Sequence, residues 1–204
     1  EKKKRTVAPP APFNTTSLMA AASSIGIKPA RTMRIAESLY MNGYTSYPRV
    51  DNTVYPEGLD LRGVLDILAK VPDFREGAEA LLAKGKLTAT RGKQETTDHP
   101  PIYPTGAADP DKLRPEEWKL YSLICRRFMA TLSEAAVLES TKVTFDVEGE
   151  PFTARGDVLV EPGYRSVYPY GLKKDEQLPA LSEGQAVAFN GATNTKKQTE
   201  PPAR

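Results

Sequence analysis

The 204-residue sequence predicts a multi-domain α+β protein, with a mostly helical part followed by an antiparallel β part. Three observations predict it. Up to about residue 138, apolar residues recur at helical spacing; beyond it Val143, Phe145 and Val147 alternate with polar residues, as do Phe152, Ala154, Val158 and Val160. Gly149, Gly156, Gly163, Gly184 and Gly191 punctuate that second region at intervals suited to short strands. Pro29 and Pro115 suit the first turn of a helix, where the missing N–H has no partner to lose, and Asn42-Gly43 suits a helix end. The chain therefore divides into 1–12, an extended lead-in and candidate strand of the β part; 13–138, helical; and 139–204, β.

Pro9, Pro10 and Pro12 keep the lead-in extended, and Asn14, Thr15 or Thr16 can then cap a short helix running to Ser24. Ser24 to Lys28 reads as a turn. The next helix, opened by Pro29, carries Met33, Ala36, Leu39 and Tyr40 as its inward stripe and leaves Arg31, Arg34, Glu37 and Ser38 for solvent or a partner. Leu61, Val64, Leu65 and Leu68 mark a third helix; Phe74, Ala78, Leu81 and Leu82 mark a fourth. Residues 84–114 read as a long irregular loop, of the kind that often carries function. Pro115 opens the longest helix, with Glu116 and Glu117 at its positive end and Trp118, Tyr121, Ile124, Cys125, Phe128 and Leu132 on its buried face.

Composition excludes several function classes. Hydrophobic residues make up 39% of the chain, and no apolar run approaches the roughly 18 residues of a membrane helix. Cys125 is the one cysteine and His99 the one histidine, so an internal disulfide, a cysteine-rich zinc site and a histidine-rich metal site are all excluded. Net charge is only +2, and the basic run Lys2 to Arg5 reads as a solvated tail. Asp109-Pro110-Asp111 has a spacing that could serve Mg2+, yet its prolines read as a turn at a helix start. Neither an ATP-binding phosphate loop nor a dinucleotide fingerprint is present.

The most informative stretch is Gly43-Tyr44-Thr45-Ser46-Tyr47-Pro48-Arg49-Val50-Asp51-Asn52-Thr53. Tyr47 and Arg49 are two apart in a segment that Pro48 keeps extended, so they point the same way. A phenol and a guanidinium on one side suit attack on a phosphate, the oxygen as nucleophile and the fork on the anionic oxygens. His99, in Thr97-Asp98-His99-Pro100-Pro101-Ile102, can donate to a phosphate or carry a proton, or simply bond to Asp98.

Taken together these segments resemble the type IA DNA topoisomerases. The resemblance lies in Pro12-Phe13-Asn14-Thr15-Thr16-Ser17-Leu18, in Arg31 through Tyr40, in Gly43 through Asp51, in His99 through Thr105, in Leu123 through Phe128 and in Thr199 through Arg204. It implies that Tyr47 is the nucleophile that cuts one DNA strand and keeps the 5′-phosphate as a phosphotyrosine, without ATP. It implies that Arg49 steadies that phosphate, that His99 is a catalytic histidine near the scissile phosphate, and that Arg31, Arg34, Asp51 and Thr53 contact DNA. Val50 and Asn52 stand where many relatives have Thr and Ser. Tyr103 also departs from the family pattern.

No segment resembles the family's acidic Mg2+-binding (Toprim) domain or its gate domain. The chain is therefore expected to be a monomeric central fragment of a cytoplasmic, nucleoid-associated enzyme, acting on single-stranded DNA at the cut and inactive alone. Mg2+ is expected in the missing acidic domain, with no metal ligands here. Two other readings follow from the residues: a non-catalytic helix-turn-helix-type DNA-binding module using Arg31 and Arg34, and a protein-interaction piece.

Overall fold

In the computed structural model, which describes residues 1–171, 176–191 and 193–198, the helical core is built around α5 (Pro115–Thr131). Leu120, Tyr121, Leu123, Ile124, Cys125, Phe128 and Met129 are all buried on it. α1 (Thr15–Ser24), α2 (Pro29–Met41) and α4 (Pro72–Leu82) pack against α5, and α3 (Leu61–Ala69) packs on α4. Each fully buried Leu or Phe contributes about 1.5–3 kcal/mol, so α5 supplies much of the drive to fold. The Phe74 ring stacks on Trp118 at 5.7 Å and leans on Tyr121 at 6.0 Å, joining α4 to the same core.

The helix ends follow local chemistry. Asn14 is the cap of α1: its side chain accepts from Ser17 N at 2.9 Å, and Ser17 Oγ accepts from Asn14 N at 3.0 Å. α2 ends as its glycine dictates. Gly43 adopts φ 74°, Gly43 N donates to the Tyr40 carbonyl at 2.9 Å and Tyr44 N to the Leu39 carbonyl at 2.9 Å.

The inward face of α2 differs from the expected stripe. Thr32, Ile35, Ala36 and Leu39 are buried, Met33 is half-buried and Tyr40 is 42% exposed. A threonine can sit inside because its hydroxyl reaches the Lys28 carbonyl at 3.1 Å. That rotation of the helix turns Tyr40 outward.

β1 (Lys2–Val7), β2 (Ala136–Val147) and β3 (Glu150–Glu161) form one antiparallel sheet with β2 in the centre. The chain is thus α+β. Lys2–Arg5 is not a free tail: it pairs along β2, with Lys2 bridged to Glu139 at 3.1 Å and Arg5 to Asp157 at 3.3 Å. β2 and β3 are also longer than the glycine spacing suggested. Gly149 makes the hairpin turn with Glu148, both at positive φ, but Gly156 lies inside β3. A Cβ there would come 2.1 Å from the Glu176 carbonyl oxygen, so this glycine admits a close chain approach and ends no strand. No strand adjoins Gly184 or Gly191 among the described residues, and Thr199–Arg204 lies outside them.

Asp109-Pro110-Asp111 is a turn. Asp109 Oδ1 accepts from Asp111 N at 3.0 Å, starting the short 3-10 helix Pro110–Lys112 before α5. Among the described residues, no helix is long and apolar enough to cross a membrane.

Candidate active site

The Tyr47 segment is held on both flanks by main-chain bonds. On one side Ser46 N donates to the Tyr103 carbonyl at 2.9 Å, and Thr105 N donates to the Tyr44 carbonyl at 3.0 Å. On the other, Thr15 N donates to the Val50 carbonyl at 2.9 Å, Val50 N donates to Thr15 Oγ1 at 2.8 Å, and that hydroxyl donates to the Pro48 carbonyl at 2.8 Å. Phe13, fully buried, bridges to Ile102 and ties the lead-in to the same loop. Tyr47 therefore sits on backbone that is fixed immediately before and after it.

Its half-buried ring meets two others. The Tyr40 ring stands edge-on at 5.4 Å, and the His99 imidazole lies at 4.9 Å, tilted by 50°. Arg49 is exposed and donates to Glu37 Oε1 from Nε at 2.9 Å and also from Nη2. Glu37 and Tyr40 are three apart on α2 and so share a face. Tyr47 and Arg49 thus lie against one face of one helix, as two residues two apart in an extended segment should.

His99 is exposed on its loop. Asp98 takes its hydrogen bond from the Thr96 hydroxyl at 2.6 Å, which, with the His99 backbone N–H, holds its carboxyl below the usual range. The loop is fixed by Asn52, a buried residue, whose Nδ2 donates to the Thr96 carbonyl at 2.9 Å and the His99 carbonyl at 3.1 Å. Asn52, which departs from the family pattern, bonds across to the histidine loop.

The remaining sequence-derived residues are more scattered. Arg31 is engaged by Glu116 Oε2 through Nε at 2.8 Å and Nη2 at 2.7 Å. Arg34 is exposed and makes no ion pair among the described residues. Arg31 sits in the first turn of α2, about 14 Å along the helix from Tyr40, whereas Arg34 is three residues before Glu37 and so shares its face. Asp51 is exposed, with its carbonyl accepting from Asn14 Nδ2 at 3.3 Å. The Thr53 hydroxyl donates to the Gln94 carbonyl at 2.8 Å and accepts from Gln94 N at 3.0 Å, so it anchors loop 92–94. The structure brings His99 to Tyr47 and ties Arg49 to Glu37, on the α2 face that also carries Tyr40. Glu37, Tyr40, Ser46 and Asn52 complete the neighbourhood and escaped the sequence reading; the three-residue spacing of Glu37 and Tyr40 was the available signal.

Among the described residues, no group of three or more His, Cys, Asp or Glu side chains could hold a metal ion.

The fold is that of topoisomerase I. Full-length topoisomerase I from Thermotoga maritima superposes with a TM-score of 0.63 over 91% of this chain and 31% of that one, at 23% identity. The chain belongs to the DNA topoisomerase family, whose profile matches residues 1–204. DNA topoisomerase 1 of Archaeoglobus fulgidus is 44% identical over 195 residues, covering 96% of this chain and 29% of its own length. Human DNA topoisomerase 3-beta-1 is 36% identical over 195 residues, covering 95% of this chain and 22% of its own length. The chain thus spans less than a third of the curated relatives it matches.

Proposed function

We propose that this chain is the tyrosine-bearing part of a multi-domain type IA DNA topoisomerase, with a helical catalytic domain and a β hinge domain. The observation that carries the reading is the meeting of Tyr47 and His99 at 4.9 Å, with Arg49 on the same face of α2. The Tyr47 phenol gives up its proton and its oxygen attacks a phosphorus of a single strand; the bond to the 3′ oxygen breaks, and that oxygen takes up one proton and leaves as a hydroxyl, so protons balance. The 5′-phosphate stays on the phenol. Reversal by the 3′ hydroxyl restores the strand. One phosphoester replaces another at each step, so no nucleotide fuel is required.

Arg49 suits the charge on the non-bridging oxygens, once it exchanges Glu37 for phosphate. His99 suits a donor to the same phosphate or a proton carrier for the phenol. Mg2+ is assigned to the acidic domain of the parent chain, which together with the gate domain would supply the other wall of the cleft. The binding-only alternative has less support, because it gives no role to the approach of the His99 ring to Tyr47.

The test combines this chain with the separate acidic domain, Mg2+ and a single-stranded oligonucleotide, and traps the adduct by denaturation. We expect a nucleotide remnant on Tyr47 by mass spectrometry and none in Tyr47→Phe. Equal adduct in both proteins would remove Tyr47 from the chemistry.

A further inference from the structure

We infer that Asn52 is a positioning residue for His99: its side-chain amide fixes the loop that presents the imidazole to Tyr47. Its kinetic consequence rests on the reading of Tyr47 as nucleophile, whereas its structural consequence does not.

Asn52 is 4% exposed, and three of its hydrogen-bonding capacities are used. Nδ2 donates to the carbonyls of Thr96 and His99, at 2.9 and 3.1 Å, and Oδ1 accepts from Val54 N at 2.9 Å. The Thr96 hydroxyl donates to Asp98 at 2.6 Å, closing the turn whose two carbonyls Asn52 takes up. Beyond the histidine, Ser46 Oγ donates to the Pro101 carbonyl at 3.2 Å and accepts from Tyr103 N at 3.0 Å. The segment carrying Tyr47 therefore grips the histidine loop on both sides of the imidazole. Pro100 and Pro101 restrict the backbone in between.

The chemistry calls for an amide. One nitrogen must offer two N–H donors to two carbonyls, while the oxygen of the same group accepts from a backbone N–H. Serine offers one donor on a short arm. An ionised aspartate offers none. With the His99 carbonyl held, the exposed imidazole keeps its 4.9 Å approach to Tyr47 on an otherwise irregular loop. Misplacement by about 1 Å can cost on the order of 100-fold in rate, so a group that only sets geometry has a kinetic signature.

Because His99 is the chain's one histidine, its imidazole C–H proton signals are unambiguous, and the Tyr47 ring current displaces them. Tyr47→Leu gives the ring-free position. We expect Asn52→Ser, which keeps an acceptor for Val54 N, and Asn52→Asp to move those signals most of the way to it. Unmoved signals in both variants, with dispersed amide spectra, overturn the inference. In the intact parent enzyme, Asn52→Ser is expected to slow cleavage on the order of tenfold at unchanged oligonucleotide KM. It should add nothing in a His99→Ala background; additive losses also overturn it. An adduct surviving in Tyr47→Phe would sink the nucleophile while leaving the imidazole shifts standing.

Discussion

Glu37 Oε1 takes both the Nε and the Nη2 of Arg49, so the guanidinium nearest Tyr47 in sequence already holds an anion. The pair is open to water, with side-chain exposures of 59% and 42%, and is worth little to the fold. Its consequence is competition: a DNA phosphate must displace a carboxylate. We expect Glu37→Gln to reach half-maximal adduct at a several-fold lower oligonucleotide concentration. Its melting temperature should stay within the shift that about 0.5 kcal/mol produces. Weaker oligonucleotide binding in the variant would refute the competition.

Removing the fork itself should separate chemistry from folding. Arg49→Ala is expected to slow adduct formation on the order of 100-fold, the scale seen when one oriented donor to a developing oxyanion is lost. The unfolding midpoint should not move. Arg49→Lys keeps a point charge without the planar fork, so we expect partial recovery. Single-turnover cleavage alongside a thermal melt checks both; an unchanged rate in Arg49→Ala would dismiss the residue from the mechanism.

Legibility in the sequence followed the range of the interactions. Pro29, Pro115 and Gly43 act through their own backbone constraints, so the ends of α2 and the start of α5 could be read residue by residue. The Tyr47–Arg49 spacing was equally local. The approach of His99 to Tyr47 was not: Asn52 and Ser46 set it by bonding to carbonyls of a distant, irregular loop, and such bonds leave no periodic mark. Thr32 shows a second limit. Its inward position depends on a hydroxyl bond to Lys28, whereas hydropathy alone favoured Met33 and Tyr40. The basic run Lys2–Arg5 became β1 because its main chain pairs with Leu138 to Thr141 of β2, more than a hundred positions away.

Gly106 illustrates a close approach that supports the site from behind. A Cβ placed there would lie 2.5 Å from the Gly43 carbonyl oxygen, which is backbone and cannot swing aside. The neighbouring bonds, Thr105 N to Tyr44 O and Tyr121 Oη to the Gly106 carbonyl at 2.6 Å, hold both chains in place. We expect Gly106→Ala to destabilise by about 1–3 kcal/mol and to lower cleavage, because the strain falls on the turn leading to Tyr47. Gly58→Ala, with nothing within 4 Å of its Cβ, is the control and should melt within the usual small range of a surface change.

The acid side of stability should report on Glu117, which joins α5 to α2. Its carboxylate accepts from Arg114 Nη2 at 2.6 Å, from Arg114 N at 3.0 Å and from Ser38 Oγ at 3.3 Å. The Arg114 fork is the main cause that holds its pKa down at about 2, against an ordinary 4.5, and burial opposes it only in part. A depressed carboxylate pKa stabilises the folded state fully above the unfolded value. That stability drains away as pH falls from 4.5 toward 2, because the unfolded chain takes up the proton first. The Arg114 side chain is 63% exposed, so water screens the pair and the contribution is about 1 kcal/mol. We expect urea midpoints measured between about pH 5 and pH 2 to fall less steeply in Glu117→Gln than in the parent chain. Parallel slopes would mean that the Arg114 contact does not set the acid limit of this fold.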